Sequence, residues 1–196
     1  MIEYIRGEIA ELSPAQLVME CQGIGYEINI SLTTYSAING HKEGKIYVHE
    51  VIREDAHILF GFATREEREL FLLLTSVSGV GPNTARMILS SLLPSDLIRV
   101  IASGDDVSLT SVKGIGSKTA QRIVVDLKNK VKSIESPDEK NKSPENKHSE
   151  TAEGAIAALI MLGFQKTASQ KAVASILKKT SSITVEQVIK DALKIL

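Results

Sequence analysis

The sequence is poor in residues that mark several classes of protein: its 196 residues include one cysteine, no tryptophan, four tyrosines and four phenylalanines. The single cysteine, Cys21, excludes a disulfide framework or a cysteine-based zinc site within one chain, and we expect it to be a small core residue. The aromatic residues make up 4% of the total. They are too few to predict a stacking platform for single-stranded nucleic acid.

Long apolar runs and a targeting pattern are also missing. The longest apolar runs, 71–74 and 155–162, fall far short of the ~20 residues that span a bilayer. Acidic residues occur early in the N-terminal segment, whereas a signal peptide begins with a basic segment followed by an apolar one. We therefore expect no membrane partner and a reducing, cytoplasmic setting.

A large net charge is absent as well, because 23 Lys and Arg residues stand against 24 Asp and Glu residues. The near-neutral total conceals an uneven distribution. Residues 1–62 carry four basic and nine acidic side chains, whereas residues 63–132 carry ten and seven. Segment 133–150 has three basic and five acidic side chains, and residues 151–196 have six basic and three acidic ones. The near-neutral total therefore does not exclude a basic surface on one domain, because charges of opposite sign on other parts of the chain cancel it in the sum.

The pattern of residues 1–62 predicts β-strands. Short runs rich in Ile, Val and Tyr are separated by Gly and Pro, and a brief helix-like segment occurs at 34–38. The predicted strands are 2–10, 16–21, 26–31, 45–52 and 58–62. Five short strands favour a closed barrel, because closure removes exposed sheet edges. We expect an OB-type β-barrel over residues 1–62.

After residue 62 the pattern becomes helical. Thr64 and Glu67 have the spacing of a capping box and precede an apolar run, which predicts an all-helical domain over 63–132. Segment 133–150 is dense in Ser, Pro, Asn and charged residues and contains one strong hydrophobe. A segment of this composition cannot bury a core. We therefore predict a flexible linker over 133–150.

The last segment, 151–196, predicts three short helices. Gly163 is placed to end the first helix, and capping boxes at Thr167–Gln170 and Thr184–Gln187 open the second and third. The third helix has apolar residues at helical spacing, which form one stripe that must pack on another element. The whole chain is therefore predicted to be a multi-domain α+β protein that ends in a small three-helix domain.

A repeat with a period of 35 residues is the most specific pattern in the sequence. Residues 75–85 (TSVSGVGPNTA) align with residues 110–120 (TSVKGIGSKTA), and seven of these positions are identical while an eighth exchanges Val for Ile. Each copy places a Gly-hydrophobe-Gly turn before a helix that begins at Pro82 or at Ser117. Pro82 suits a first helical position, because the N–H that proline lacks would be unpaired there.

Each copy of the repeat has the chemistry of an anion site. Glycines allow backbone angles and close approaches that a Cβ blocks, and the following helix presents free N–H groups and the positive end of its dipole. Two copies would hold two phosphates, and such contacts position a nucleic acid while carrying little sequence information. Two tight helix–helix turns without a ligand are the alternative interpretation.

The doubled Val-x-Gly-hydrophobe-Gly unit resembles tandem helix-hairpin-helix motifs. The order of β-barrel, paired hairpins, polar linker and three-helix tail resembles the RuvA family of Holliday-junction-binding proteins. The resemblance covers the whole chain and includes GIGYE at 23–27, REDA at 53–56, LFGF at 59–62 and AALIMLGF at 157–164. It implies an OB-fold barrel, a tandem helix-hairpin-helix DNA-binding domain, a linker and a UBA-like tail, with the boundaries given above.

The resemblance implies a protein without catalytic activity that binds four-way DNA junctions and holds them open. It also implies recruitment of a hexameric ATPase motor of the RuvB type, for branch migration in homologous recombination and DNA repair. The chain would need no cofactor, since the motor uses the ATP, and no segment fits the Walker A pattern of a nucleotide-binding loop. A homotetramer and a RuvC-type junction resolvase are the further partners that the resemblance implies.

The resemblance also assigns DNA contacts to residues of both hairpins. These candidate DNA-binding residues are Gly79, Gly81, Asn83, Thr84, Gly114, Gly116, Ser117, Lys118 and Arg122. In relatives the helix after each hairpin tends to start with Lys, and Asn83 and Ser117 occupy those places here. An amide at Asn83 donates a hydrogen bond but carries no charge, so we expect a weaker grip at the first hairpin.

Two further groups of residues are implied by the resemblance. Glu54 and Asp55, in the turn between the last two barrel strands, form an acidic pin that repels phosphates at the centre of a junction. A pair of acids in a turn that is merely solvated is the alternative. In the tail, Leu159, Leu162 and Phe164 are candidate contacts with the motor, and packing in the tail's own core is equally compatible with them.

Other classes of function stay open on the residues alone. A helix-hairpin-helix repair nuclease would need paired carboxylates for a metal, and the sequence offers Glu54–Asp55 and Asp105–Asp106. Asp105 and Asp106 more simply open a helix after Gly104, where acids suit the dipole. The four histidines lack the spacing of zinc ligands, so we expect no metal site. A protein-binding adaptor that uses only its tail is the remaining alternative.

Overall fold

The computed structural model describes residues 1–131, 134, 147–177 and 184–196. Contacts divide the chain into two compact units, residues 1–135 and 136–196. The first unit contains the predicted barrel and hairpins, and the second contains the predicted tail. Over the described ranges, no helix is both long enough and apolar enough to cross a membrane.

Five strands form a closed barrel at the start of the chain. They are β1 (Tyr4–Ser13), β2 (Gln16–Cys21), β3 (Ile24–Ile30), β4 (Glu43–Ile52) and β5 (His57–Phe62). Their order is β1-β2-β3-β5-β4, with β4 closing on β1; β3 and β5 run parallel and the other neighbours antiparallel. Alternate residues such as Leu17, Met19 and Ile28 are fully buried and fill the interior. The predicted OB-type barrel is confirmed.

Among the residues that the structure describes, six helices belong to the first unit. They are α1 (Leu32–Ile38), α2 (Arg65–Thr75), α3 (Pro82–Ser91), α4 (Pro94–Ser103), α5 (Asp106–Thr110) and α6 (Ser117–Leu127). α1 is the insert between β3 and β4, and the loops α2–α3 and α5–α6 are the two predicted hairpins. The Asp105 carboxylate accepts a hydrogen bond from the Ser108 N–H at 3.0 Å, so Asp105 caps α5, and the hydrogen bonds from Ser108 lower its pKa. These acids therefore open a helix.

The barrel and the helices share one hydrophobic core. Phe60 and Phe62 on β5 pack against Phe71 on α2, with ring centroids 5.2 and 4.9 Å from that of Phe71. Buried residues of α3, α4 and α6 continue the same cluster. A fully buried Phe contributes about 1.5–3 kcal/mol relative to an exposed one, so this contact holds the helices firmly on the end of the barrel.

Glu67, in the first turn of α2, is the main polar link between the barrel and the helices. Its predicted capping box is half formed: Thr64 Oγ1 accepts a hydrogen bond from the Glu67 N–H at 3.1 Å, but the carboxylate turns toward the barrel. There it accepts from the hydroxyls of Ser31 and Thr34, the latter at 2.7 Å, and from the Ala63 N–H at 3.3 Å. Glu67 is 1% exposed. Burial raises the pKa of its carboxyl, and the three hydrogen bonds oppose that shift.

Four polar contacts between described residues attach α3 to the barrel and to α1, and two of them are the following. Thr33 Oγ1 on α1 donates to the Leu89 carbonyl at 2.6 Å. Arg86 Nη1 donates to Asn29 Oδ1 on β3 at 2.9 Å. The helix that follows the first hairpin is therefore fixed on the same barrel that carries the acidic turn.

The second unit is a three-helix domain, as predicted. Its helices are α7 (Lys147–Met161), α8 (Lys166–Leu177) and α9 (Val185–Ala192). Gly163, with φ of +98°, follows the end of α7, and Thr184 Oγ1 caps α9 by accepting from the Gln187 N–H at 3.4 Å. The predicted capping box at Thr167 is wrong, because α8 already begins at Lys166 and its Ser169 N–H donates to the Gln165 carbonyl at 3.0 Å.

The first helix of the tail begins earlier in the sequence than predicted. α7 begins at Lys147, inside the segment 133–150 that the sequence predicts as a linker. Apart from Ile134, the rest of that segment lies outside the described residues.

We predict that Glu67→Gln reduces the pH dependence of stability. The folded-state pKa of Glu67 lies above its ordinary value of 4.5, so its contribution is fully present below the unfolded pKa and is lost as pH rises through the folded pKa. The free energy of unfolding of the wild type should therefore fall relative to that of Glu67→Gln as the pH rises from 4.5 through the folded-state pKa. Urea unfolding across this range measures the difference. Parallel pH profiles for the two proteins would contradict the assignment.

Candidate nucleic-acid interface

The two hairpin loops, 76–81 and 111–116, have the same construction. In each, a backbone N–H closes a tight turn: Val80 donates to the Val77 carbonyl and Ile115 to the Val112 carbonyl, both at 3.0 Å. These four apolar residues are at most 5% exposed, whereas the glycines between and after them are exposed. The apolar side chains therefore anchor each loop in the core, and the glycine backbone faces outward.

The two glycines of each hairpin differ in why the position needs glycine. Gly79 and Gly114 have φ of +92° and +90°, a conformation that side chains rarely adopt. Gly81 and Gly116 have φ of −84°, which any residue tolerates, and a Cβ added at either would meet no atom within 4 Å. The fold therefore does not require glycine at 81 and 116. The open space in front of them is where a ligand can approach the backbone.

The helices after the hairpins begin without side-chain caps. Gly81 and Gly116 are their N-cap residues, and the first helical bonds run from the Ala85 N–H to Gly81 and from the Ala120 N–H to Gly116, at 2.9 and 3.0 Å. Among the described residues, none accepts a hydrogen bond from the remaining first-turn N–H groups. These belong to Asn83 and Thr84 in α3 and to Ser117, Lys118 and Thr119 in α6. Side-chain oxygens cap α1, α2, α5 and α9, whereas α4 also begins without such a cap but follows Leu93 rather than a glycine.

An uncapped helix start is suited to binding an anion. Its free N–H groups point outward and the helix dipole places partial positive charge at the same end. A side-chain cap would occupy the N–H groups that a phosphate oxygen needs. The two hairpins therefore present, within one unit of the protein, two helix starts whose geometry is compatible with an anion.

The charged residues of the two hairpins are distributed unequally. Lys118 is exposed in the first turn of α6, and among the described residues it has no ion-pair partner. Asn83 is the second residue of α3, as Lys118 is of α6, so the two occupy equivalent places. Ser117 is equivalent to Pro82, so of the two hairpins only the first lacks a cation at the second helical position.

Arg122 occupies a place that its sequence position did not predict. It lies on α6, but its Nη1 donates to the Ser78 carbonyl at 3.1 Å, in the loop of the first hairpin. The Arg122 side chain is exposed. Its position in the repeat associated it with the second hairpin, whereas the structure brings its guanidinium to the first.

The two acids predicted as a pin lie in an exposed turn. Glu54 and Asp55 occupy the connection between β4 and β5, where the Arg53 N–H donates to the Ala56 carbonyl at 2.8 Å. No hydrogen bond or ion pair engages either carboxylate among the described residues. The turn therefore presents two unneutralised negative charges to solvent.

The three tail residues predicted as motor contacts have different surroundings. Leu159 is fully buried in the core of the three-helix domain, so its assignment as a contact is wrong: it packs between the helices. Phe164 is half-buried against the same core. Leu162 is 60% exposed, and so are its neighbours Ile160 at 41% and Met161 at 88%. The end of α7 and the residue that follows it therefore form an exposed apolar segment, 160–162.

Comparison with known proteins finds family models that match three successive parts of the chain. The family model for the RuvA N terminal domain matches residues 1–61, that for the SAM-like helix-hairpin-helix tandem matches 71–129, and that for the RuvA C-terminal domain matches 151–196. A protein of Parabacteroides distasonis called Holliday junction branch migration complex subunit RuvA is 65% identical over all of both chains. Proteins with the same name from Bacteroides thetaiotaomicron and Porphyromonas gingivalis are 54% and 53% identical, over 99% and 100% of both chains.

We predict that Gly81→Val and Gly116→Val each abolish binding to a four-way junction while the protein stays folded. The added side chain fills only the open space in front of the helix, so the stability cost should be about 1 kcal/mol or less, as for other helix caps. Mobility shift with a labelled junction and thermal unfolding measure the two effects. Gly44→Val on β4 is the matched control, because a Cβ there also meets no atom within 4 Å, and it should retain binding. Retained binding by both folded hairpin variants would refute the phosphate sites.

Proposed function

The chain belongs to the RuvA family, and from that premise we propose that it binds four-way (Holliday) DNA junctions as the non-catalytic subunit of a branch migration complex. The observation that carries the proposal is the pair of uncapped, glycine-fronted helix starts at Gly81 and Gly116. They lie in the same unit as the exposed acidic turn of the barrel. The helix starts would hold the phosphate backbone of the junction, and the acidic turn would disfavour a continuous duplex.

The hairpins would hold the DNA arms through phosphate oxygens. Backbone N–H groups at the start of α3 and α6 donate to phosphates, and Lys118 adds charge. None of these groups reads a base edge, so the contacts position DNA without selecting its sequence. Recognition then depends on where phosphates lie in space, which differs between a junction and a continuous duplex.

The acidic turn would supply the discrimination between the two kinds of DNA. Glu54 and Asp55 are exposed and unneutralised, and a phosphate next to them is repelled. A duplex that crossed this turn would place its backbone against like charge, whereas the strands of a junction part at its centre. Specificity therefore arises from an unfavourable contact with the wrong partner as well as from favourable contacts with the right one.

Movement of the junction requires a motor that this chain does not supply. The sequence has no Walker A loop, so ATP would be used by a RuvB-type hexameric ATPase and the chain itself would need no cofactor. The exposed apolar segment 160–162 supports a contact with this motor through the tail, with Leu162 as the residue retained from the sequence prediction. We further propose a homotetramer, whose symmetry matches the four arms, and contact with a RuvC-type resolvase.

We predict that the purified protein retards a labelled four-way junction at salt concentrations where it no longer retards a duplex of the same sequence. Mobility shift across a salt series measures this preference, and salt matters because phosphate contacts release counterions. The same mixtures with Mg²⁺ should contain intact junction. Cleaved junction would instead support a nuclease, and equal retardation of both DNAs would contradict junction recognition.

We predict that the double substitution Glu54→Gln with Asp55→Asn makes the protein less selective. Duplex binding should strengthen by about tenfold, since removing two like charges near a phosphate relieves about 1–2 kcal/mol at an exposed site. Junction binding should change less. The ratio of the two affinities is the measured quantity, and Glu11→Gln, an exposed acid on β1, is the control. An unchanged ratio of the two affinities would show that the acidic turn does not contribute to selectivity.

A further inference from the structure

The hydrogen bond from Arg122 to the Ser78 carbonyl links the two hairpins across the repeat. Arg122 belongs to the helix that follows the second hairpin, and Ser78 immediately precedes the first glycine of the first hairpin. The bond is 3.1 Å long and both residues are exposed. An exposed hydrogen bond of a long side chain contributes little to folding stability.

The repeat makes this bond asymmetric. The 35-residue period places Met87 of α3 at the position equivalent to Arg122, and Lys113 at the position equivalent to Ser78. Methionine has no donor, so the helix of the first hairpin cannot make the reciprocal bond to the second loop. Of the two copies of the repeat, only the second has a basic side chain that bonds to the hairpin loop of the other copy.

The same comparison shows which hairpin lacks a cation of its own. Lys118 lies in the first turn of the helix after the second hairpin, and its equivalent in the first is the uncharged Asn83. The hairpin that lacks a lysine is the one whose loop receives the guanidinium of Arg122. Arg122 therefore brings to the first hairpin the positive charge that Asn83 does not supply.

We propose that Arg122 serves the first hairpin: α6 supplies the cations of both phosphate sites, Lys118 to the second and Arg122 to the first. The inference rests on the proposed function, because it assigns a residue to the phosphate sites described above. Arg122 has five N–H donors, and the bond to Ser78 uses one. That bond holds the guanidinium beside Gly79, and the remaining donors are available to a phosphate oxygen.

Rescue experiments distinguish this assignment from a role for Arg122 at the second hairpin. Arg122→Met, which installs the residue of the first copy, should weaken junction binding about tenfold and lower the slope of log affinity against log salt by about one. In that background, Asn83→Lys should restore most of the affinity, because it returns a cation to the first hairpin. Ser117→Lys is the matched control: it adds the same charge to the second hairpin and should restore little.

A measurement without DNA tests the link itself. In amide NMR spectra of the free protein, Arg122→Met should shift the resonances of Gly79 and Val80, although the substitution lies on α6. Lys118→Ala removes one charge from the same helix and should leave these resonances unchanged. Thermal unfolding of each variant confirms that it is folded, as expected for exposed positions.

The outcomes separate this inference from the proposed function. Equal rescue by Asn83→Lys and Ser117→Lys would show that only the total charge matters and would overturn it, as would unchanged Gly79 and Val80 resonances or full affinity in Arg122→Met. A wild-type protein without preference for a junction over a duplex would instead contradict the proposed function. Selective rescue by Asn83→Lys, together with shifted first-hairpin resonances, supports the assignment.

Discussion

A carboxylate removed from water where the barrel meets the helices is the constraint on which the first unit depends. Glu67 lies among donors from two segments: the hydroxyls of Ser31, the N-cap of α1, and of Thr34 within α1, and the Ala63 N–H before α2. A buried carboxylate is strongly unfavourable unless such donors converge on it. Rotation of α2 away from the barrel would leave the carboxylate without partners, so the hydrogen bonds specify one orientation while the packing of Phe71 against β5 provides most of the attraction.

Because this orientation is fixed, the charged residues of the barrel and of the hairpin domain keep a constant arrangement. The sequence is nearly neutral in total, but the barrel is acidic and the hairpin domain basic. Glu54 and Asp55 sit on the acidic part and Lys118 and Arg122 on the basic part, and one unit carries both. In the proposed function, attraction and repulsion would therefore act on the same DNA at a set separation. If the barrel and the hairpin domain were free to move, a small rotation would accommodate the repelled duplex, and the acids could not contribute to selectivity.

The sequence predicted those features that follow from local pattern. Alternating apolar residues and the Gly-hydrophobe-Gly repeat indicated the barrel and the hairpins, because pleat and turn are decided by near neighbours along the chain. Tertiary contacts decided the rest. Glu67 has the spacing of a local helix cap, but its carboxylate turns toward the barrel. Leu159 was a candidate surface contact, but it packs in the core of the three-helix domain. Arg122 donates a hydrogen bond to a loop residue 44 positions away in the sequence. A helix period gives no distance to another segment, so no local signal could have placed these three side chains.

The two hairpins, although built alike, are not equivalent sites. Pro82 has no N–H, so the start of α3 offers two free donors, from Asn83 and Thr84, whereas α6 offers three. The second hairpin therefore has both the extra donor and the cation in its own first turn, and it should form the stronger phosphate contact. Proline at the first position stiffens the start of α3 in return, since its φ is already helical. If both helix starts bind phosphate as proposed, the second would therefore contribute the larger share of the contact, and the first would add a weaker contact from a more rigid helix start.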